Sequence, residues 1–239
     1  MQESIKQKLA NYQTPERVVE LIRSSKVVFL VGVTAAGKDT VLRRLIESPD
    51  YHHIVSHTTR APRENHGILE QDGLDYHFIS LQTASDMLDN GGYVEAKMFS
   101  GNVYGTSVAE IQMAHDEGKI AITDIEVQGV AEYRAIADNV IPIFLLPPDF
   151  ETWQERLKGR YADSHIDPAD LRKRLETAAV ELREALNKPY FEYVVNRDLD
   201  TTISIVDEVA HGNFSREKNQ KAREVAEQLL QDLEVHLNT

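Results

Sequence analysis

The 239-residue chain contains no cysteine, which excludes disulfides and thiolate metal sites. No apolar run approaches the roughly 20 residues of a membrane-spanning helix. The N-terminus, MQESIKQKLANYQ, lacks the apolar segment of a secretory signal, so a cytoplasmic location is expected. Basic residues are in deficit: 26 Lys and Arg face 39 Asp and Glu, a formal net charge of −13. That balance opposes a broad nucleic-acid or acidic-membrane surface, and neither partner is expected. A small anion needs only a local cluster of Arg and Lys, so the question becomes where the few basic residues converge. The composition, 41% hydrophobic and 27% charged, is globular and suits one α/β domain with insertions.

Residues 27–31, VVFLV, form an unbroken apolar run, which suits a strand covered by helices on both faces of a parallel sheet. KIAITDI (119–125), VIPIFLL (140–146) and FEYVVNRDL (191–199) supply further strands, and the helical stretches between them imply βαβ units. Thr14-Pro15-Glu16 offers a cap followed by Pro at the first helical position, with Val18, Val19, Leu21 and Ile22 as the apolar face of a short helix. Leu171, Leu175, Ala178, Ala179, Leu182 and Leu186 recur at helical spacing between Pro168 and Lys188. After a linker at 211–215, Ala222, Val225, Ala226, Leu229, Leu233 and Leu237 mark a last helix, whose apolar face is expected to pack on its own domain or to pair two copies of the chain.

Gly32 to Lys38 fits the spacing G-x-x-x-x-G-K between a strand and a helix, the context in which this pattern binds phosphate. Gly32 and Gly37 let the backbone, with Ala35 and Ala36, wrap around phosphate oxygens; the helix start presents free N–H groups and Lys38 adds a mobile charge. The next residue is Asp39, where such loops usually carry Ser or Thr. A carboxylate is also a hard oxygen ligand, so Asp39 or the hydroxyl of Thr40 can meet magnesium. Asp124 ends a strand on the edge where ligands bind in open parallel sheets, and is a third candidate for the ion.

A second constellation follows. VSHTTRAPR (55–63) places Arg60 and Arg63 beside Ser and Thr hydroxyls; DGLDYHF (72–78) and YVEAKMFSGNVYGTS (93–107) add Tyr76, Glu95, Tyr104 and Thr106. Two guanidinium forks and two phenols can grip a phosphate.

With these motifs in this order, followed by DIEVQG, the sequence resembles the guanylate kinase family from about Val27 to Val209. The resemblance implies a P-loop NTPase-type α/β fold: a mostly parallel sheet flanked by helices, an inserted GMP-binding subdomain and a helical lid. It implies an N-terminal helical extension over 1–25, a kinase domain over 26–211 with its GMP segment at about 55–107 and its lid at about 150–189, and a C-terminal helical extension over 212–239. The implied activity is magnesium-dependent phosphoryl transfer from ATP to GMP. On the matching positions, Ser56, Glu95 and Thr106 recognise guanine, and Arg60, Arg63, Tyr76 and Tyr104 hold the GMP phosphate, with Glu70, Asp124 and Glu126 completing the acceptor side. Arg160 and Arg174 of the lid supply positive charge, Arg156 lies nearby, and Asn196 neighbours the adenine of ATP.

The departures from the family pattern are Asp39, Glu126 in place of a shorter acid, Tyr161 in place of a lid glycine, and an insertion around ENHG between Arg63 and Gly73. Two other readings follow from them: a related kinase whose acceptor is ribose 1,5-bisphosphate, and a noncatalytic guanylate-kinase-like binding module, which would have no need for Lys38 or the lid arginines.

Overall fold

The computed structural model describes residues 2–65, 67–160, 167–213 and 215–238. His66 of the insertion, Tyr161 of the lid and Phe214 of the linker lie outside the described residues. In chain order the elements are α1 (Gln2–Asn11), α2 (Glu16–Ser24), β1 (Lys26–Gly32), α3 (Lys38–Leu45), β2 (Tyr51–His53), β3 (His57–Thr58), β4 (Glu64–Asn65), β5 (Ile68–Leu69), β6 (His77–Phe78), α4 (Leu81–Asp89), β7 (Tyr93–Phe99) and β8 (Asn102–Ser107). There follow α5 (Val108–Asp116), β9 (Ile120–Asp124), α6 (Val127–Ile136), β10 (Ile141–Leu146), α7 (Phe150–Arg160), α8 (Pro168–Leu186), β11 (Glu192–Val195), α9 (Leu199–Ala210) and α10 (Arg216–Leu237). Parallel strands alternating with helices make this an α/β fold of the P-loop type.

The chain divides into two compact units. One consists of Val28–Ser48, Asp124–Ala131 and Ile141–Thr239. In it β1, β10 and β11 run parallel, with Gly32 opposite Leu145 and Leu145 opposite Val194. The apolar run of β1 is wholly buried from Val28 to Val31, as a strand covered on both faces requires. On α8 the buried positions are Leu175, Ala178, Ala179, Leu182 and Ala185. On α10 they are Ala222, Ala226, Leu229 and Leu233, and that stripe rests on α8 and β11 of its own unit.

The other unit consists of Met1–Val27, Pro49–Thr123 and Glu132–Val140. Here β2 pairs in parallel with β9, and a separate four-stranded sheet has the order β6-β3-β8-β7. Its β7–β8 hairpin changes register between Tyr93 and Glu95, leaving Val94 as the extra residue of a bulge. The insertion is itself a hairpin: β4 and β5 pair antiparallel around Gly67, whose φ of +77° suits a tight turn. Beneath the sheet Ile5, Ala84, Leu88, Tyr93 and Val103 form one apolar cluster.

The start of α2 differs from expectation. Pro15 occupies the cap position and the helix begins at Glu16, while the Thr14 hydroxyl donates to the Val94 carbonyl at 2.8 Å. The bulge competes for the hydroxyl that a helix cap would have used. Val18 and Ile22 are buried; Val19 and Leu21 are half-buried.

Candidate active site

The loop between β1 and α3 is set by backbone conformation. Gly32 has φ +144° and Gly37 φ +96°; a Cβ on Gly32 would stand 2.3 Å from the Leu145 carbonyl oxygen, and one on Gly37 would stand 2.4 Å from Asn196 Nδ2. Both angle and contact therefore demand glycine. Ala35, at φ +60°, is one of two non-glycine residues with positive φ among those described. Bonds from other elements brace the loop: Trp153 Nε1 donates to the Thr34 carbonyl and Asn196 Nδ2 to the Ala36 carbonyl, both at 2.8 Å. Asn196 is fixed in turn by the Thr202 hydroxyl on its Oδ1, and its carbonyl accepts from Arg156 at 2.9 Å. Lys38 Nζ folds back and donates to the Gly32 carbonyl at 2.6 Å.

A cavity of about 430 Å³ opens on this loop. Ala35, Gly37, Lys38, Asp39 and Thr40 line it from the loop and the first turn of α3, Arg156 and Arg160 from α7, and Asn196, Arg197, Asp198 and Leu199 from the stretch after β11. Four basic side chains (Lys38, Arg156, Arg160, Arg197) thus meet two acidic ones (Asp39, Asp198). In a chain with a net charge of −13, this is a local excess of positive charge, the kind of setting that favours a small anion. Arg160 and Asp39 stand 3.9 Å apart with side chains 51% and 62% exposed, a contact worth little in water. Gly32 and Ala36 are buried and contribute backbone. Arg174, Asp124 and Glu126 are exposed and are not among the residues lining the cavity. Burial pushes the Glu181 carboxyl on α8 upward, with Lys38 opposing and Glu126 adding to the shift. Glu181 escaped the sequence reading because it looked like one more acid on a polar helix face.

In the other unit a second cluster is built from side chains. Arg60, 9% exposed, donates through Nη1 and Nη2 to the two oxygens of Glu70 at 2.7 and 3.0 Å. Its Nε donates to Tyr104 Oη at 3.2 Å and its Nη1 also to the Ala61 carbonyl. Four of its five N–H groups are engaged. The fork lies over Tyr76, 5.3 Å from the ring centroid, a cation–π contact. The β4–β5 hairpin returns the chain so that Glu70 also accepts from the Arg63 backbone N–H at 2.7 Å. The guanidinium bonded to Glu70 holds that carboxyl below the usual carboxylate range, and the same pairing raises Arg60.

Glu95 and Thr106 lie opposite each other on β7 and β8. One carboxylate oxygen of Glu95 accepts from both the backbone N–H and the hydroxyl of Thr106, at 3.2 and 3.1 Å. Burial pushes the Glu95 carboxyl up, opposed by Lys97 and by the Thr106 bonds. Ser56 is half-buried, and its carbonyl accepts from the His77 N–H at 2.9 Å.

What the sequence reading missed here is Glu110. Its buried carboxylate accepts from the Val55 N–H and meets His52 Nε2 on one oxygen and His77 Nε2 on the other, at 3.0 to 3.1 Å. It ties α5 to β2, to β6 and to the segment entering Ser56, residues too far apart in sequence for any spacing rule to join.

The Guanylate kinase family profile matches residues 24–212. The chain is 34% identical over 185 residues to a guanylate kinase of Syntrophotalea carbinolica, covering 76% of this chain and 83% of that protein. It is 35% identical over 178 residues to a guanylate kinase of Schizosaccharomyces pombe, covering 73% and 85%. Its fold is similar to the crystal structure of guanylate kinase from Anaplasma phagocytophilum, with a TM-score of 0.55, 25% identity, and coverage of 82% and 90%.

Proposed function

The chain belongs to the guanylate kinase family, and from that premise we propose that it transfers the terminal phosphoryl group of ATP to GMP, giving ADP and GDP. One observation carries the reading furthest: besides the basic loop cavity, the chain holds a carboxylate, Glu95, oriented by Thr106 on one oxygen with the other left for a ligand. Guanine offers N1–H and N2–H side by side to such a carboxylate, whereas adenine sets a lone pair against it. A buried polar site that leaves its groups unpaired with the wrong ligand discriminates by about 10⁴. Ser56 stands as a further contact to the base.

Arg60 keeps one N–H and its charge for the GMP phosphate, and Tyr104 accepts from Arg60 while keeping its own O–H to donate. Arg63 and Tyr76 complete the grip. Glu70 aims Arg60 and partly offsets its charge, and Arg63 adds to the attraction for the dianion. Asp124 and Glu126 are assigned to the acceptor side.

On the donor side, the loop N–H groups of Gly32 to Thr40 and the Lys38 ammonium hold the ATP phosphates, and Lys38 exchanges the Gly32 carbonyl for phosphate oxygens. Asn196 and Arg156 flank the adenine end. Phosphoryl transfer passes through a loose transition state that needs alignment and positive charge more than covalent help. Lys38, Arg60, Arg160 and Arg174 are assigned to supply that charge, the last two from a lid at about 150–189.

Magnesium is proposed to arrive with ATP. Among the described residues no group of three or more His, Cys, Asp or Glu side chains is placed to hold a metal. Asp39 and Thr40 are exposed oxygen donors on the first turn of α3. That set fits an ion carried by nucleotide phosphates and keeping most of its waters, with Asp39, Thr40 and Asp124 as its contacts. When bound, the ion neutralises charge on the phosphates.

The test is ADP release from ATP and magnesium with GMP, AMP, UMP or ribose 1,5-bisphosphate as acceptor. Turnover confined to the guanine acceptor is expected. Turnover with the sugar bisphosphate alone, for which Glu95 has no use, would overturn the assignment, as would failure with every acceptor.

A further inference from the structure

The family profile begins at residue 24, yet the segment before it is built into the sheet that carries Glu95. Ile5 on α1 is 1% exposed within the cluster of Ala84, Leu88, Tyr93 and Val103, and Leu9 and Tyr12 pack against it. Lys8 donates to Ser85 on α4 at 2.7 Å and pairs with Asp89. Arg17 donates to the carbonyls of Asn90 and Gly91 at 3.1 and 2.8 Å, in the turn that leads into β7. Gly91 lies so close to Pro15 that a Cβ there would meet Pro15 Cγ at 2.6 Å.

The contacts converge on the bulge. At Tyr93 and Val94 the β7–β8 register shifts, so ladder pairing resumes only at Glu95 opposite Thr106. A bulge leaves backbone polar groups to be satisfied elsewhere. Tyr12 satisfies two of them: its hydroxyl donates to the Tyr93 carbonyl and accepts from the Tyr93 N–H. The Thr14 hydroxyl takes the Val94 carbonyl at 2.8 Å. The residues fixed by these bonds immediately precede Glu95, and a bulge decides which way the next side chain points.

We propose that residues 2–17 form a strap that holds the β7 bulge, and that Tyr12 and Thr14 are positioning residues for the guanine-recognising carboxylate of Glu95. The inference rests on the reading of Glu95 as the guanine acceptor. Neither hydroxyl touches the nucleotide; each fixes the backbone from which the carboxylate is aimed. Loss of the hydroxyls therefore weakens acceptor recognition and leaves the donor site alone.

The experiment compares Tyr12→Phe, Thr14→Val and their combination, which keep the packed volume, with Glu95→Gln. For each, kcat and the KM values for GMP, IMP and ATP are measured, together with the thermal midpoint. IMP lacks the 2-amino group, so the GMP-to-IMP ratio of kcat/KM reports the carboxylate's aim. The double variant is expected to raise the GMP KM by about tenfold, below the roughly 10²-fold that a full 1 Å misplacement can cost, to lower the GMP-to-IMP ratio, and to leave kcat and the ATP KM within twofold. A merely structural role would lower the thermal midpoint without moving the ratio, and that result overturns the strap if Glu95→Gln does move it. A ratio unmoved by Glu95→Gln itself overturns the reading of Glu95, and the strap's purpose falls with it.

Discussion

On the proposed assignment, the loop cavity and the Arg60–Glu95 region each hold an anionic nucleotide, and they are built by opposite means. The loop works through backbone: Gly32 and Gly37 shape it, and its principal cation, Lys38, donates to the main-chain carbonyls of Gly32 and Val33. Its other pairing, Arg160 with Asp39, is long and exposed. In the second region the functional side chains already have side-chain partners, Arg60 in Glu70 and Tyr104, Glu95 in Thr106. A backbone cradle with mobile charges can reorganise around each substrate state. A cross-bonded side-chain network gives up that freedom for selectivity. The acceptor half is therefore expected to be preorganised and the donor half to rearrange on binding.

The largest effect that would sharpen this contrast is Lys38→Ala. It removes the one mobile cation of the loop and is expected to lower kcat by about 10³, roughly 4 kcal/mol of transition-state stabilisation, in steady-state assays. Next is Arg60→Ala, which strands the Glu70 carboxylate in a mostly buried setting and is expected to lower kcat/KM for GMP by about 10² to 10³. Glu70→Gln, which keeps shape and one acceptor, should cost about tenfold, mainly in the GMP KM. An Arg60→Ala enzyme with a normal GMP KM would break the picture of a prebuilt acceptor site.

A pH effect of intermediate size lies outside both sites. Burial pushes the Glu192 carboxyl on β11 up to about 7, and its buried Oε2 has no hydrogen-bond partner among the described residues. A folded-state pKa above the unfolded one means stability that is complete below the ordinary carboxylate range and lost as pH rises through about 7. Glu192→Gln should therefore raise stability relative to the parent by about 1 to 2 kcal/mol at pH 8 and by much less at pH 5, read by denaturant titration. The smallest effect expected is Asp39→Ser. Its contact with Arg160 is exposed, and a hydroxyl can replace the carboxylate near magnesium, so kcat should stay within about threefold. A collapse of activity would give the Asp39 carboxylate a role of its own.

The two regions also differ in how far the sequence alone discloses them. The loop was legible because its physics is local: β1, a fixed glycine spacing and α3 are contiguous, and contiguous chain is what periodicity and spacing describe. The strands at 119–125, 140–146 and 191–199 and the stripes of α8 and α10 were legible for the same reason. In the acceptor region the individual residues stood out, but not the bonds between them. That Glu70 grips Arg60 depends on the β4–β5 hairpin, whose four strand residues carry no strong turn or strand signal. Glu110 reads as an ordinary helix acid until His52 and His77 close on it from distant strands. Thr14 reads as a helix cap because the bulge that captures its hydroxyl lies eighty residues away. Tertiary contact decided each of these cases.

The most direct test of preorganisation is calorimetric titration of GMP, without ATP or magnesium, into the parent chain and Lys38→Ala. Measurable and equal affinity is expected in both, because the acceptor network is complete without the loop lysine. No binding in the absence of donor nucleotide, or binding lost in Lys38→Ala, would contradict it.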